Sequence, residues 1–130
     1  MNRRLSFFIA VLSLLLAACG GPAAAKSVGD ANQGKTLFTQ ATIREAPGCG
    51  TCHSVEPGKV LVGPSLAGVA ARAGERVSGK SAIDYLRECI TTPNAYVVEG
   101  FTPGVMYQNF EQVLTTDEIN NLVAYLLTLE

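Results

Sequence analysis

Tryptophan is absent from this 130-residue chain, histidine occurs once, and methionine occurs twice. Four cysteines are scattered, and no second Cys or His pair follows Cys52. A structural zinc site takes four such ligands, so its donor set is incomplete. Charge is also sparse: 16% of the residues, with 10 Lys plus Arg against 11 Asp plus Glu. No basic stripe exists to neutralise phosphates, so nucleic acid is not an expected partner. No dense lysine cluster exists to steer an acidic partner either. Long hydrophobic runs are missing. The most apolar stretch, Leu5 to Leu16, has twelve residues, about 18 Å as a helix against a hydrocarbon core of about 30 Å. With 48% apolar residues and neither repeats nor low-complexity runs, the length suits one small domain.

What is present is Cys49-Gly50-Thr51-Cys52-His53. A Cys-x-x-Cys-His run is the attachment site of a c-type haem. Two thiols three positions apart can each add to one vinyl group of the same porphyrin, and the next residue then lies under the iron. His53 is the expected proximal ligand, because a neutral imidazole nitrogen binds iron well. A thioredoxin-like redox pair would want a βαβ pattern around the motif, and the flanking sequence has none. With a single histidine, bis-histidine ligation within the chain is excluded. The candidate sixth ligand is Met106, 53 residues further on in a Gly/Pro-rich loop. A lone methionine ordinarily fills core space, but Met106 lies off any helical stripe.

The N-terminus reads as an export signal, with Met1-Asn2-Arg3-Arg4 as a positive start, the apolar run, and then Leu16-Ala17-Ala18-Cys19. Those last four residues resemble a bacterial lipobox, which implies a signal peptide over 1–18 and lipidation of Cys19. The competing reading is ordinary cleavage of the Ala-x-Ala kind at Ala23 to Ala25. A lipidated cysteine carries two or more acyl chains, enough for stable anchoring where one is marginal. Residues 19–29 would form a flexible tether, reaching at most about 35 Å. Loss of Arg3 and Arg4 with the signal leaves 8 basic against 11 acidic residues.

The domain is expected over 30–130. Asp30 caps a first helix in which Ala31, Gly34, Leu37, Phe38 and Ala41 share a face. Ser81 caps a second, with Ile83, Leu86, Cys89 and Ile90 as its buried stripe, ended by Pro93. A capping box, Thr115 to Glu118, opens a third, with Ile119, Leu122, Val123, Leu126 and Leu129 inward and Tyr125 flanking. Leu66 to Arg72 suits one short helix. Asn94 to Phe110, with Gly100, Pro103 and Gly104, is a loop too long to be idle. The cysteines then resolve as two for haem, one for lipid, and Cys89 left over as a small buried side chain.

Over Asp30 to Glu130 the chain resembles a class I monohaem cytochrome c. The attachment motif, Gly63-Pro64-Ser65-Leu66-Ala67-Gly68, Tyr85 to Ile90 leading to Pro93, and Val123-Ala124-Tyr125-Leu126 carry the resemblance. Tyr85 to Phe110 is especially similar to the cytochrome c domain fused to subunit II of some haem-copper oxidases. The resemblance implies an all-α cytochrome c fold, three main helices with short helices and loops wrapped around one covalent haem. It implies that Pro64 offers its carbonyl to the proximal imidazole, that Leu66 packs on the porphyrin, and that Gly34 and Phe38 meet Tyr125 where the first and last helices cross. Met106-Tyr107 departs from the family's usual Met-Pro. The function implied is one-electron transfer at a bacterial membrane, facing the extracytoplasmic side, with no bond chemistry. Expected partners are a quinol oxidoreductase such as alternative complex III and a haem-copper oxidase or photosynthetic reaction centre. A haem protein with an open distal site, peroxidase-like or gas-binding, is the alternative.

Overall fold

The computed structural model describes residues 28–130. The expected signal peptide, Cys19 and the tether up to residue 27 lie outside the described residues. Six helices appear among the described residues: α1 Ala31–Phe38, α2 Cys49–Cys52, α3 Val69–Ala73, α4 Ala82–Thr91, α5 Phe110–Val113 and α6 Thr116–Leu126. Two-residue strands β1 Thr42–Ile43 and β2 Ala46–Pro47 pair antiparallel between α1 and α2. The fold is all-α, and α1, α4 and α6 are its three main helices.

Local chemistry sets the helix starts. Asp30 Oδ1 accepts from the Asn32 and Gln33 amides at 2.8 and 3.1 Å, and Ser81 Oγ accepts from the Asp84 amide at 3.1 Å. At α6 both halves of the capping box form, Thr115 Oγ1 with the Glu118 amide and Glu118 Oε2 with the Thr115 amide. Each cap satisfies amides that have no partner within the helix.

The core forms where α1 crosses α6. Phe38 and Tyr125 stack tilted with ring centroids 5.3 Å apart, and Leu122 and Val123 are fully buried beneath them. Close approach depends on Gly34. A Cβ there would overlap the Asn121 carbonyl oxygen and come within 2.9 Å of Tyr125 Cβ. Asn121 also locks the crossing at its end, its Oδ1 accepting from the Asp30 amide at 2.7 Å. Gly34→Ala would gain about 1 kcal/mol of helix propensity in an open helix. Here overpacking is expected to outweigh that, for a net loss of about 1–3 kcal/mol. Guanidinium unfolding of the haem-loaded protein checks it, and a stabilised variant would contradict so tight a crossing.

Two expectations about burial need correction. Ile83 is 37% exposed. The buried arc of α4 runs through Tyr85, Leu86 and Ile90, with Cys89 half-buried, so Ile83 falls at its margin. Leu129 lies beyond the end of α6 and is half-buried. The expected short helix begins at Val69 rather than Leu66, after Gly68 in the left-handed conformation at φ 67°. The first helix likewise stops at Phe38, short of Ala41. No helix among the described residues is long and apolar enough to cross a membrane.

Candidate functional site

One helical turn, α2, carries both motif cysteines, so their thiols project to the same side at a three-residue separation. The chain then leaves the helix at His53, whose amide still donates to the Cys49 carbonyl at 2.9 Å. Two bonds fasten the following stretch alongside residues 63–66: the Gly63 amide to the Cys52 carbonyl at 2.9 Å and the Leu66 amide to the Ser54 carbonyl at 2.8 Å. The Pro64 carbonyl oxygen consequently stands 3.0 Å from His53 Nδ1. A carbonyl only accepts, so a neutral ring must carry its proton on Nδ1. That leaves the Nε2 lone pair free for a metal.

Gly63 supports the same ring from the side. A Cβ there would overlap His53 Cε1 and lie 2.8 Å from Nδ1. Gly63→Ala is expected to rotate the imidazole off the Pro64 carbonyl and weaken its hold on iron. A raised midpoint potential, from an imidazole made less basic by loss of its carbonyl partner, and a shifted low-spin electron paramagnetic resonance spectrum would report this, whereas an unchanged spectrum would show that the ring has room.

These residues form one wall of a cavity of about 460 Å³. Cys49, Cys52, His53, Pro64, Leu66 and Met106 all line it, so every expected cofactor residue of the described chain converges on one space. Cys19 lies outside the described residues. The remaining wall is mostly apolar, with Leu86 and Ile90 from α4, Phe110 from α5 and Leu122 from α6. Such a wall matches a flat macrocycle that is apolar except at one edge. Burial pushes the Cys49 thiol up to about 11. A redox Cys-x-x-Cys lowers its nucleophilic thiol instead, so the environment speaks against that reading. Among the described residues no cluster of His, Cys, Asp or Glu could hold a metal ion by itself.

Met106 arrives from the long loop, and a chain of side-chain amides holds the loop in shape. Asn94 Oδ1 accepts from the Gly104 amide at 2.8 Å, Asn94 Nδ2 donates to Gln108 Oε1 at 2.7 Å, and Gln108 Nε2 donates to the Met106 carbonyl at 2.5 Å. Gly100 and Gly104, at φ 88° and 80°, make the reversals that other residues resist. Aromatic pairs pin both ends, Tyr96 on Tyr85 at 5.5 Å and Tyr107 on Phe110 at 5.0 Å between centroids. Asn94 and Gln108 were not singled out from the sequence. Their only signal is a pair of amides flanking a Gly/Pro loop, common in any turn.

A family model for cytochrome c matches residues 31–130, which is most of the chain. The chain belongs to the cytochrome c family. It is also 36% identical over 89 residues to cytochrome c2 iso-2 of Magnetospirillum molischianum, covering 63% of this chain and 91% of that protein. Membership brings covalently bound haem c, and the cavity fits it. Its size, its apolar walls, the paired thiols on one turn and the free Nε2 beside them are what that cofactor requires.

Proposed function

We propose that the protein is a membrane-anchored one-electron carrier in which Cys49 and Cys52 hold haem c through thioether bonds and His53 and Met106 supply the two axial ligands. The observation that carries the reading is the convergence of all four residues on one apolar cavity, with His53 held in the tautomer that leaves Nε2 free. Haem c supplies reversible Fe(III)/Fe(II) chemistry without bond making. The chain's own contribution would be to supply both ligands through His53 and Met106, exclude water with its apolar wall and hold the two side chains in place. The Pro64 carbonyl orients His53 and raises its basicity. The Asn94–Gln108 amides present the Met106 thioether, a ligand that favours reduced iron. Leu66, in the same wall, would pack against the macrocycle. With His53 and Met106 both bound to the iron, no position would remain for a substrate, which supports a carrier over an enzyme.

In this proposal the 1–18 signal directs export and Cys19 carries the lipid, placing the domain at the extracytoplasmic face of a bacterial membrane. Electrons would come from a quinol-oxidising complex, alternative complex III being one of suitable kind, and pass to a haem-copper oxidase or photosynthetic reaction centre. The resemblance of Tyr85 to Phe110 to an oxidase-fused domain supports the oxidase end. Two measurements test the placement. Cys19→Ser should move the protein from the membrane fraction to the soluble fraction; retention on the membrane would refute lipidation there. Purification of the native protein in mild detergent should bring down a quinol-oxidising or oxygen-reducing complex, and isolation without either would remove the partner assignment.

A further inference from the structure

Among the described residues, no backbone-to-backbone hydrogen bond reaches residues 102–108 of the long loop. Two side-chain amides hold that stretch, at the Gly104 amide and at the Met106 carbonyl. Between Thr102 and Asn109 only Met106 and Tyr107 turn inward, and the other residues of the stretch are exposed. A bond to the Met106 carbonyl fixes the backbone at one point and leaves the peptide free to pivot about it.

What stops the pivot is Tyr107. Its ring meets Phe110 edge-on, with centroids 5.0 Å apart and planes at 67°, an arrangement that aromatic pairs prefer. Phe110 is an anchored partner. It is buried, it opens α5, and its carbonyl accepts from the Leu114 amide at 2.8 Å. At the other end of α5 the Val113 carbonyl is held by Arg44 at 2.8 Å. Met106, Tyr107 and Phe110 all line the same cavity. A proline after Met106, usual in the family, would stiffen the chain by fixing its own φ. Tyr107 has no such constraint, so stiffness here has to come from contact with a neighbouring ring.

We propose that Tyr107 is a positioning residue for Met106: its ring, seated edge-on against Phe110, closes the ligand loop and sets how firmly the thioether stays on the iron against a competing ligand. The proposal rests on Met106 as axial ligand and deepens the carrier reading. Loss of the ring pair raises the fraction of molecules in which the sulfur has swung away, and a competitor for the iron binds more tightly in proportion to that fraction. One aromatic pair is worth about two- to tenfold in such an equilibrium.

The experiment titrates imidazole into the oxidised, haem-loaded full chain and follows the methionine-to-iron charge-transfer band. It compares the unmodified protein with Tyr107→Phe, Tyr107→Leu, Phe110→Leu and the variant carrying both leucine changes. Phenylalanine keeps the ring, and leucine keeps apolar bulk without one. Tyr107→Phe is expected to bind imidazole as the unmodified protein does, and Tyr107→Leu about two- to tenfold more tightly. The double variant is expected to bind no more tightly than the tighter single, because either change removes the same pair. Guanidinium unfolding of the same samples separates this from a plain loss of stability. A Tyr107→Leu protein that unfolds earlier yet binds imidazole with unchanged affinity overturns the proposal. So does a Tyr107→Phe protein loosened as far as Tyr107→Leu, or a pair of single effects that multiply in the double variant. Failure of the axial-ligand reading looks different: the unmodified protein itself lacks the charge-transfer band, before any ring is changed.

Discussion

If Met106 ligates the haem iron as proposed, Met106→Ala is expected to abolish the methionine-to-iron charge-transfer band of the oxidised protein and to open the reduced protein to carbon monoxide. Both effects follow from the position of Met106 in the cavity that His53 lines, and from the amide chain that holds its carbonyl. Alanine would offer no sulfur to the iron, so the position proposed for Met106 would pass to water or stay open. The potential falls as well, by on the order of 100 mV, out of the roughly 0.8 V over which axial ligands set haem potentials. A smaller change of the same sign is expected for Gln108→Ala, which leaves the sulfur but loosens its loop. The decisive control is the unmodified protein. If its ferrous form takes up carbon monoxide on mixing, Met106 is not on the iron and the open-site reading takes its place.

Replacing both Cys49 and Cys52 by serine is expected to cost the fold as well as the cofactor. A void of about 460 Å³, at about 24 cal/mol per Å³, would cost about 11 kcal/mol if it stayed open and dry. Small domains have only about 5–15 kcal/mol of net stability. The haem-free chain must therefore collapse or unfold around the cavity, because α4, α5 and α6 each turn apolar side chains into it. Each single serine variant retains one thioether and should keep haem through denaturing electrophoresis, whereas the double variant should not. Circular dichroism of the double variant should show helix loss without a cooperative thermal transition. A colourless chain with native helix content and a sharp transition would mean that the fold stands without its cofactor.

Short-range chemistry was legible throughout. The attachment motif is five adjacent residues, and the caps at Asp30, Ser81 and Thr115 act over two or three positions, so α1, α4 and α6 were found with their starts correct. Helix ends were less legible. α1 stops at Phe38, where the chain must turn into the β1–β2 hairpin to deliver Cys49, and no residue near Thr39 announces it. The hairpin itself is two residues a side, with Arg44 at φ 52° reaching the Val113 carbonyl at 2.8 Å and Glu118 at 3.0 Å. Those anchors lie 69 and 74 positions away, so no local pattern could reveal them. The one-turn helix α5 is too short to show a period.

By itself the sequence determined the cofactor, the Cys-x-x-Cys-His motif, the one available histidine and the helical class, because each depends on residue identity or on spacing within a single turn. Only the tertiary structure decided what those residues face. It put His53 Nδ1 against Pro64, brought Met106 into the same cavity through two side-chain amides, and let α1 reach α6 across Gly34. Such contacts join residues distant along the chain, and their energies exist only once packing has excluded water between them.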